Sequence, residues 1–329
     1  IIAASRPPLT PISMPIYKNL VFWAYTAAFL GVFSHATSEF FSVLSGISGP
    51  EVSVWRYLLG SACLLLVALS RQSTRNLLEP LRKDGLRIFV LSVCGMALGQ
   101  LIFHWSLDFA SIVQVATMVT TMPMGVMVVD AIVNKTRITA PKVISGLGAF
   151  GGVVFLLTDG YLEQLQLASG AFYGVLLALG CAVIGSFYLV LIRPLINEYG
   201  AIRMTTLTFG LGAGALWLVV GLAWGIWVDP ATLFERPPQA YLSLLTLGLW
   251  NTCIGFILWL WGLSAAPDMG RANYLFFLKP VIAALLALAI LGSAITAVQV
   301  AAIVVVCGCV LVEIFYDQLA ALLGRRPAG

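Results

Sequence analysis

The stretch Ala297–Val312, AVQVAAIVVVCGCVLV, contains no charged residue and puts apolar side chains on every side of a helix. Val143–Leu157, VISGLGAFGGVVFLL, and Leu20–Val32, LVFWAYTAAFLGV, read the same way. A helix on a water-facing surface needs a polar side, and these stretches have none. A spanning helix takes ~20 mostly apolar residues, whereas a barrel strand takes only ~10 in strict alternation. The runs therefore predict a helical bundle in lipid. Ten stretches qualify, at 19–45, 50–69, 86–107, 111–133, 140–158, 169–191, 203–228, 240–264, 271–292 and 296–316.

Composition excludes the main competing class. The chain has 329 residues, 60% hydrophobic and 10% charged. A soluble domain carries about 25% charged residues to wet its surface, so a soluble globular enzyme is ruled out. The longest connection is the 70–85 stretch, too short for an extramembrane catalytic domain. Residues 1–18 form a lead-in that is Pro-rich over Arg6–Pro15. The full-length span that follows, with no small-residue cleavage site after it, is not expected of a signal peptide.

Basic residues are retained on the cytoplasmic side of a membrane protein. With the N-terminus inside, fifteen of the 18 Lys and Arg fall in inner segments. Arg236 alone lies in an outer loop, and Arg56 and Lys279 fall within spans. Both termini are thus expected in the cytoplasm, and the net charge of +4 is a topology signal with nothing in it for nucleic acid.

The chain also repeats itself. Pro123 and Pro280 differ by 157 positions, as do Ile138-Thr139 and Ile295-Thr296, while Gly99, Trp105 and Ala110 match Gly255, Trp261 and Ala266 at an offset of 156. Spans three to five return as eight to ten. A five-helix unit inserts its second copy upside down, and inverted repeats are a transporter plan with the substrate held near the midplane between halves. The expected organisation is a lead-in (1–18), a first repeat (19–159), a second repeat (166–316) and a cytoplasmic tail (317–329).

These features resemble the drug/metabolite transporter superfamily, in the form with two EamA repeats and ten helices. The likeness is carried by Pro50 through Arg56-Tyr57, by Asp108-Phe-Ala-Ser-Ile-Val through Pro123, and by Ala265-Ala-Pro-Asp through Pro280. The Gly-Glu-Arg-like corner that ends span four in the family is replaced here by Asn134-Lys135-Thr136-Arg137. The bulk of the chain is most similar to bacterial aromatic amino acid exporters of the YddG type. The resemblance implies a multi-pass protein of the bacterial inner membrane. It would export aromatic or other amino acids by alternating access through a cavity lined by helices 3, 4, 8 and 9, with five and ten at the periphery. Phosphorylated-metabolite or nucleotide-sugar exchangers and drug efflux carriers belong to the same superfamily.

Ionisable groups inside a membrane are costly and default to functional hypotheses. Glu39 and Arg56 lie at equal depth, roughly 9–10 Å below the outer surface at ~1.5 Å per residue. They read either as an ion pair that fixes helices one and two or, for Glu39, as a proton-sensitive gate or a binder of a substrate ammonium. His35 sits one turn from Glu39. Lys279 lies about 12 Å into the membrane, beyond easy snorkelling, and reads as a cavity cation for a carboxylate or phosphate, or as the partner of a protein carboxylate. Asp130 and Glu313 read as solvated helix ends. Gln100, Thr121, Trp250, Asn251 and Tyr274 are further cavity candidates, and Pro123 and Pro280 are helix-break hinges. Trp55, Trp105, Trp224, Trp227, Trp259 and Trp261 read as interfacial anchors.

The six cysteines fall in apolar spans and read as small hydrophobes. Gly148-x-x-x-Gly152 and Gly210-x-x-x-Gly214 read as helix-packing surfaces. No Lys follows Gly, so there is no phosphate-binding loop. No metal site, cofactor or catalytic motif is expected, and the expected function is not enzymatic. The expected partners are the bilayer and a small-molecule substrate; the sequence is compatible with a monomer and leaves the oligomeric state open.

Overall fold

A computed structural model describes residues 14–160, 171–291, 296–316 and 318–319. Ten of its helices are long and apolar enough to cross a membrane. They are α1 (Asn19–Leu44), α2 (Gly49–Ser70), α3 (Leu78–Ser106), α4 (Ile112–Asn134), α5 (Ala140–Thr158), α6 (Ala171–Tyr199), α7 (Ala201–Trp224), α8 (Pro238–Ala265), α9 (Met269–Leu286) and α10 (Ala297–Ile314). The face carrying the α1–α2 and α3–α4 connections is called upper here, and the opposite face lower.

Two helices extend past the spans read from hydropathy. α3 begins at Leu78 rather than 86, and α6 runs to Tyr199 rather than 191. The added turns carry polar pairs that hydropathy cannot register, such as Lys83 on Glu79 at 3.0 Å and the Tyr199 hydroxyl donating to Asp84 at 2.6 Å. The α6–α7 connection is only Gly200, whose φ of +89° favours glycine.

Close packing depends on missing side chains. A Cβ on Gly262 of α8 would stand 2.4 Å from the backbone nitrogen of Ala28 in α1, and one on Gly31 would stand 2.5 Å from Trp259 Cβ. Gly148 and Gly152 meet Cys309 and Val306 of α10 in the same manner. Gly210 and Gly214 do not behave as expected: both are exposed, with no atom of the described residues within 4 Å of an added Cβ. The small-residue spacing there marks an outward face of α7, because a spacing alone does not say where a partner stands.

The helices near the bundle axis are irregular close to mid-membrane. α1 breaks at Ala36–Thr37, between helical segments Met14–His35 and Ser38–Leu44. α3 and α8 contain π-helical turns at Leu91–Ala97 and Leu247–Ile254, immediately before and through the Gly99 and Gly255 regions matched in the repeat. α4 is interrupted at Thr120-Thr121 before Pro123, and α9 passes through a 3-10 turn at Tyr274–Phe277 before Pro280. Non-helical backbone at this depth is tolerated where protein or a cavity surrounds it. By contrast α5 and α10 are regular, packed on one another, and the least buried of the ten.

This packing yields a paired expectation. Gly262→Ala forces backbone apart between α1 and α8 and should cost about 1–3 kcal/mol by overpacking. Gly210→Ala, in open space on a helix, should be neutral to stabilising by up to about 1 kcal/mol. Thermal unfolding of the detergent-solubilised protein measures both.

Candidate substrate site

The irregular segments surround a cavity. Its walls come from α1, α2, α3, α4, α6, α8 and α9. The aromatic part is Phe103, Phe256, Trp259 and Phe276, and the polar part includes His35, Arg56, Gln100, Tyr188 and Lys279. The space open to the centre of a water-sized sphere is about 60 Å³, enough for several waters. Pockets that hold drug-sized ligands run to ~300–1,000 Å³, so the bundle is drawn tight around this site.

Lys279 projects from the first turn after the 3-10 segment of α9. Its Nζ lies 5.6 Å from the Phe103 ring centre and 5.5 Å from that of Phe276, within range of a cation–π attraction. It also donates to Glu39 Oε1 as a direct ion pair. Both residues are buried, at 7% and 6% exposure. Ser38 Oγ donates to the second Glu39 oxygen at 3.2 Å. Lys279 thus both lines the cavity and pairs with a protein carboxylate. At this burial, removing either partner strands an uncompensated charge.

Arg56 does not pair with Glu39, contrary to the ion pair expected from equal depth. Its Nε donates to Thr252 Oγ1 at 2.9 Å, and its Nη1 to His104 Nε2 at 3.2 Å. Thr252 Oγ1 in turn donates to the Leu247 carbonyl at 2.8 Å, five residues back, so the π-turn of α8 sets the position of that hydroxyl. Depth along a helix fixes height but not azimuth, and the break in α1 turns Glu39 towards α9. His104 completes the group, with Nδ1 2.9 Å from Ser53 Oγ and 3.0 Å from the Gln100 carbonyl.

The remaining sequence candidates divide. His35 lines the cavity, its ring edge-on to Phe256 at 4.5 Å and Trp259 at 5.0 Å. Gln100 lines it as well. Asn251 does not: its Nδ2 donates to Ser34 O at 2.5 Å and Thr37 Oγ1 at 3.0 Å. It thereby clamps α8 onto the broken turn of α1 and positions Glu39. Trp250 packs edge-on against Phe33 at 6.3 Å, outside the cavity. The Tyr274 hydroxyl donates to the Lys142 carbonyl towards the lower face. Thr121 bonds its own helix at Met118 O, 2.6 Å away. Pro123 and Pro280 each follow a helix interruption, as their mid-span positions suggested.

Sequence reasoning missed His104 and the α6 wall formed by Cys181, Gly185 and Tyr188. The spacing of Ser53 and Arg56 (i, i+3) and of Gln100 and His104 (i, i+4) was a usable signal, since such pairs share a helix face. Two of the tryptophans read as anchors are buried in protein and do not face lipid. Trp259 is buried and stacks on Phe276 at 5.5 Å. Trp55 is fully buried, donating to Glu51 at 3.2 Å beneath the Arg236 guanidinium. Asp130 and Glu313 are likewise buried, not solvated. Asp130 accepts from Asn134 at 2.7 Å and Thr136 at 2.8 Å, and Glu313 pairs with Arg271 at 3.4 Å.

Carboxylates also tie helix ends together at the two faces. On the lower face Asp268 caps Arg271 N at 2.9 Å and binds Lys142 at 2.5 Å. Burial raises its pKa, but these bonds outweigh it and hold the carboxyl below its ordinary value. On the upper face Asp108 accepts from Gly49 N at 3.0 and 3.2 Å. There burial wins over that bond and pushes the carboxyl up.

Thr252→Val removes the acceptor from a buried guanidinium and should lower stability by about 1–3 kcal/mol. Thr121→Val removes only a bond to its own helix and should stay within ~0.5 kcal/mol. Parallel thermal scans distinguish the two.

The sequence matches the EamA-like transporter family over residues 22–158 and 172–314. An uncharacterized transporter of Bacillus subtilis (strain 168), YyaM, is 24% identical over 276 residues, covering 84% of this chain and 88% of that protein. An uncharacterized transporter of Clostridium kluyveri is 22% identical over 285 residues, covering 84% and 87%. A solved crystal structure shares the fold with a TM-score of 0.73 at 19% identity, covering 91% of this chain and 98% of that one. The chain is a multi-pass membrane protein and belongs to the EamA-like transporter family.

Proposed function

We propose that this chain is a secondary transporter that exports small zwitterionic metabolites, aromatic amino acids foremost, across a bacterial inner membrane. The observation that carries this reading is the buried Lys279–Glu39 pair flanked by Phe103 and Phe276. An amino acid carries the same two charges. Its carboxylate can take the place of Glu39 on Lys279 while its ammonium takes the place of Lys279 on Glu39. Such an exchange keeps both protein charges matched, whereas an uncharged solute would leave the pair closed. Aromatic walls at Phe256 and Trp259 suit a planar side chain.

Two five-helix repeats, at 19–159 and 166–316, would rock about the site to expose it alternately. The duplicated π-turns and the interrupted α4 and α9 support this arrangement. The basic residues of the lower face, Lys135, Arg137 and Lys142 among them, favour a cytoplasmic position for that face and both termini by the positive-inside rule. A phosphorylated substrate would call for several convergent free cations. Among the described residues the cavity offers Lys279 and Arg56, and Arg56 is already engaged by Thr252 and His104.

Flux into proteoliposomes, with amino acids, sugar nucleotides and cationic drugs compared with and without a pH gradient, tests the substrate class. Saturable movement of Phe, Trp or Tyr is expected, and movement of phosphorylated solutes alone would overturn the reading. Lys279→Ala and Lys279→Met should both abolish flux with expression intact, and normal transport by Lys279→Met would remove the proposed role. Glu39→Gln should raise KM for phenylalanine on the order of tenfold or more and narrow its advantage over 3-phenylpropionate, which lacks the ammonium.

A further inference from the structure

His104 sits between two chambers. On one side it lines a pocket of about 180 Å³ at the upper face, together with Ser42, Val43, Gly49 and Asp108. On the other side it holds Arg56, which lines the central cavity. The wall between the chambers is thin and tightly fitted. A Cβ on Gly49 would come within 2.1 Å of the His104 carbonyl oxygen, and Asp108 fastens the Gly49 amide from above.

The hydrogen bonds fix the protonation state of the ring. Arginine donates and never accepts, so Nε2, which faces Arg56 Nη1 at 3.2 Å, carries no proton. The Gln100 carbonyl only accepts, so Nδ1, 3.0 Å away, carries the proton. His104 is thus neutral in this conformation. Nε2 is the one place a second proton can go, and it is the atom that holds Arg56. Protonation and the Arg56 contact exclude each other.

The charges around this corner make the exclusion consequential. The ionisable groups lining the two chambers are Arg56 from α2, His35 from α1, Asp108 beyond the end of α3, Lys279 from α9, and the Cys181 thiol and Tyr188 phenol of α6. Lys279 is matched by Glu39 of α1. Arg56 has no carboxylate within ion-pair distance among the described residues. An imidazolium beside it would be a second unmatched cation in a low-dielectric wall, with the Asp108 carboxylate lining the upper pocket.

We propose that His104 is a proton-binding site that works the upper gate: a proton arriving from the upper pocket binds Nε2, expels Arg56, and parts α2 from α3. The meaning of that opening rests on the carrier function proposed above, in which it would couple proton uptake to substrate release or entry. The site itself is testable without any substrate.

The chain contains two histidines, His35 and His104, so ring-¹⁵N histidine labelling gives a spectrum that His35→Gln simplifies to one residue. In bilayers the His104 signal is expected as the Nδ1-protonated tautomer at pH 8, converting to imidazolium only on acidification towards pH 4, because the second proton must displace Arg56 from Nε2. Spin labels at Ser48→Cys, the exposed cap of α2, and Phe109→Cys, exposed just past the end of α3, report the gate in a background free of other cysteines. A longer distance is expected to grow in with the same midpoint, and to be absent in His104→Gln at every pH. A His104 signal that does not titrate in this range would overturn the proposal, as would a distance that ignores pH or shifts equally in His104→Gln. If instead the gate responds as expected but no amino acid is transported, the proton site stands and the proposed substrate fails.

Discussion

A lysine and a glutamate, each nearly stripped of water, meet at the middle of a bundle whose surroundings are apolar. Neither ion could remain there alone, because an unmatched charge at that depth costs several kcal/mol. The Lys279–Glu39 contact therefore constrains everything near it. α1 must deliver a carboxylate and α9 an ammonium to the same point, and the intervening helices must leave room for both.

The irregular backbone answers that requirement. The break in α1 turns Glu39 inward, and Asn251 holds the broken turn by bonding Ser34 and Thr37. The 3-10 segment of α9 brings Lys279 between two aromatic rings. The π-turn of α8 sets Thr252 to receive Arg56, which keeps a second cation occupied away from Glu39. Glycines at 31 and 262 let α1 and α8 approach closely enough for these bonds to form. The regular helices, α5 and α10, sit outside this system and support it from the periphery.

How much of this was legible in the sequence follows from what each feature depends on. Span number and the offset of 156–157 were readable because hydropathy and spacing are one-dimensional properties. Lys279 was readable because a cation far from any interface is conspicuous. The partner of Glu39 was not, since height in the membrane says nothing of azimuth and the α1 break has no Pro or Gly to announce it. The π-turns were hidden for a related reason: Leu91–Ala97 and Leu247–Ile254 contain nothing that forbids a regular α-helix. His104 lay in the last turn of its span, where a histidine attracts no notice until Ser53 and Arg56 are placed opposite it. Gly210 and Gly214 show the converse error, a packing spacing with no helix against it among the described residues.

The account turns on whether substrate replaces the internal ion pair. In bilayers, the dipolar coupling between ¹⁵Nζ of Lys279 and ¹³Cδ of Glu39 measures that contact directly, and a ¹³C-carboxyl label on phenylalanine or tryptophan measures its replacement. At saturating amino acid the coupling to Glu39 should vanish and one to the substrate carboxylate should appear. A Lys279–Glu39 coupling that persists unchanged in the loaded protein would contradict the account.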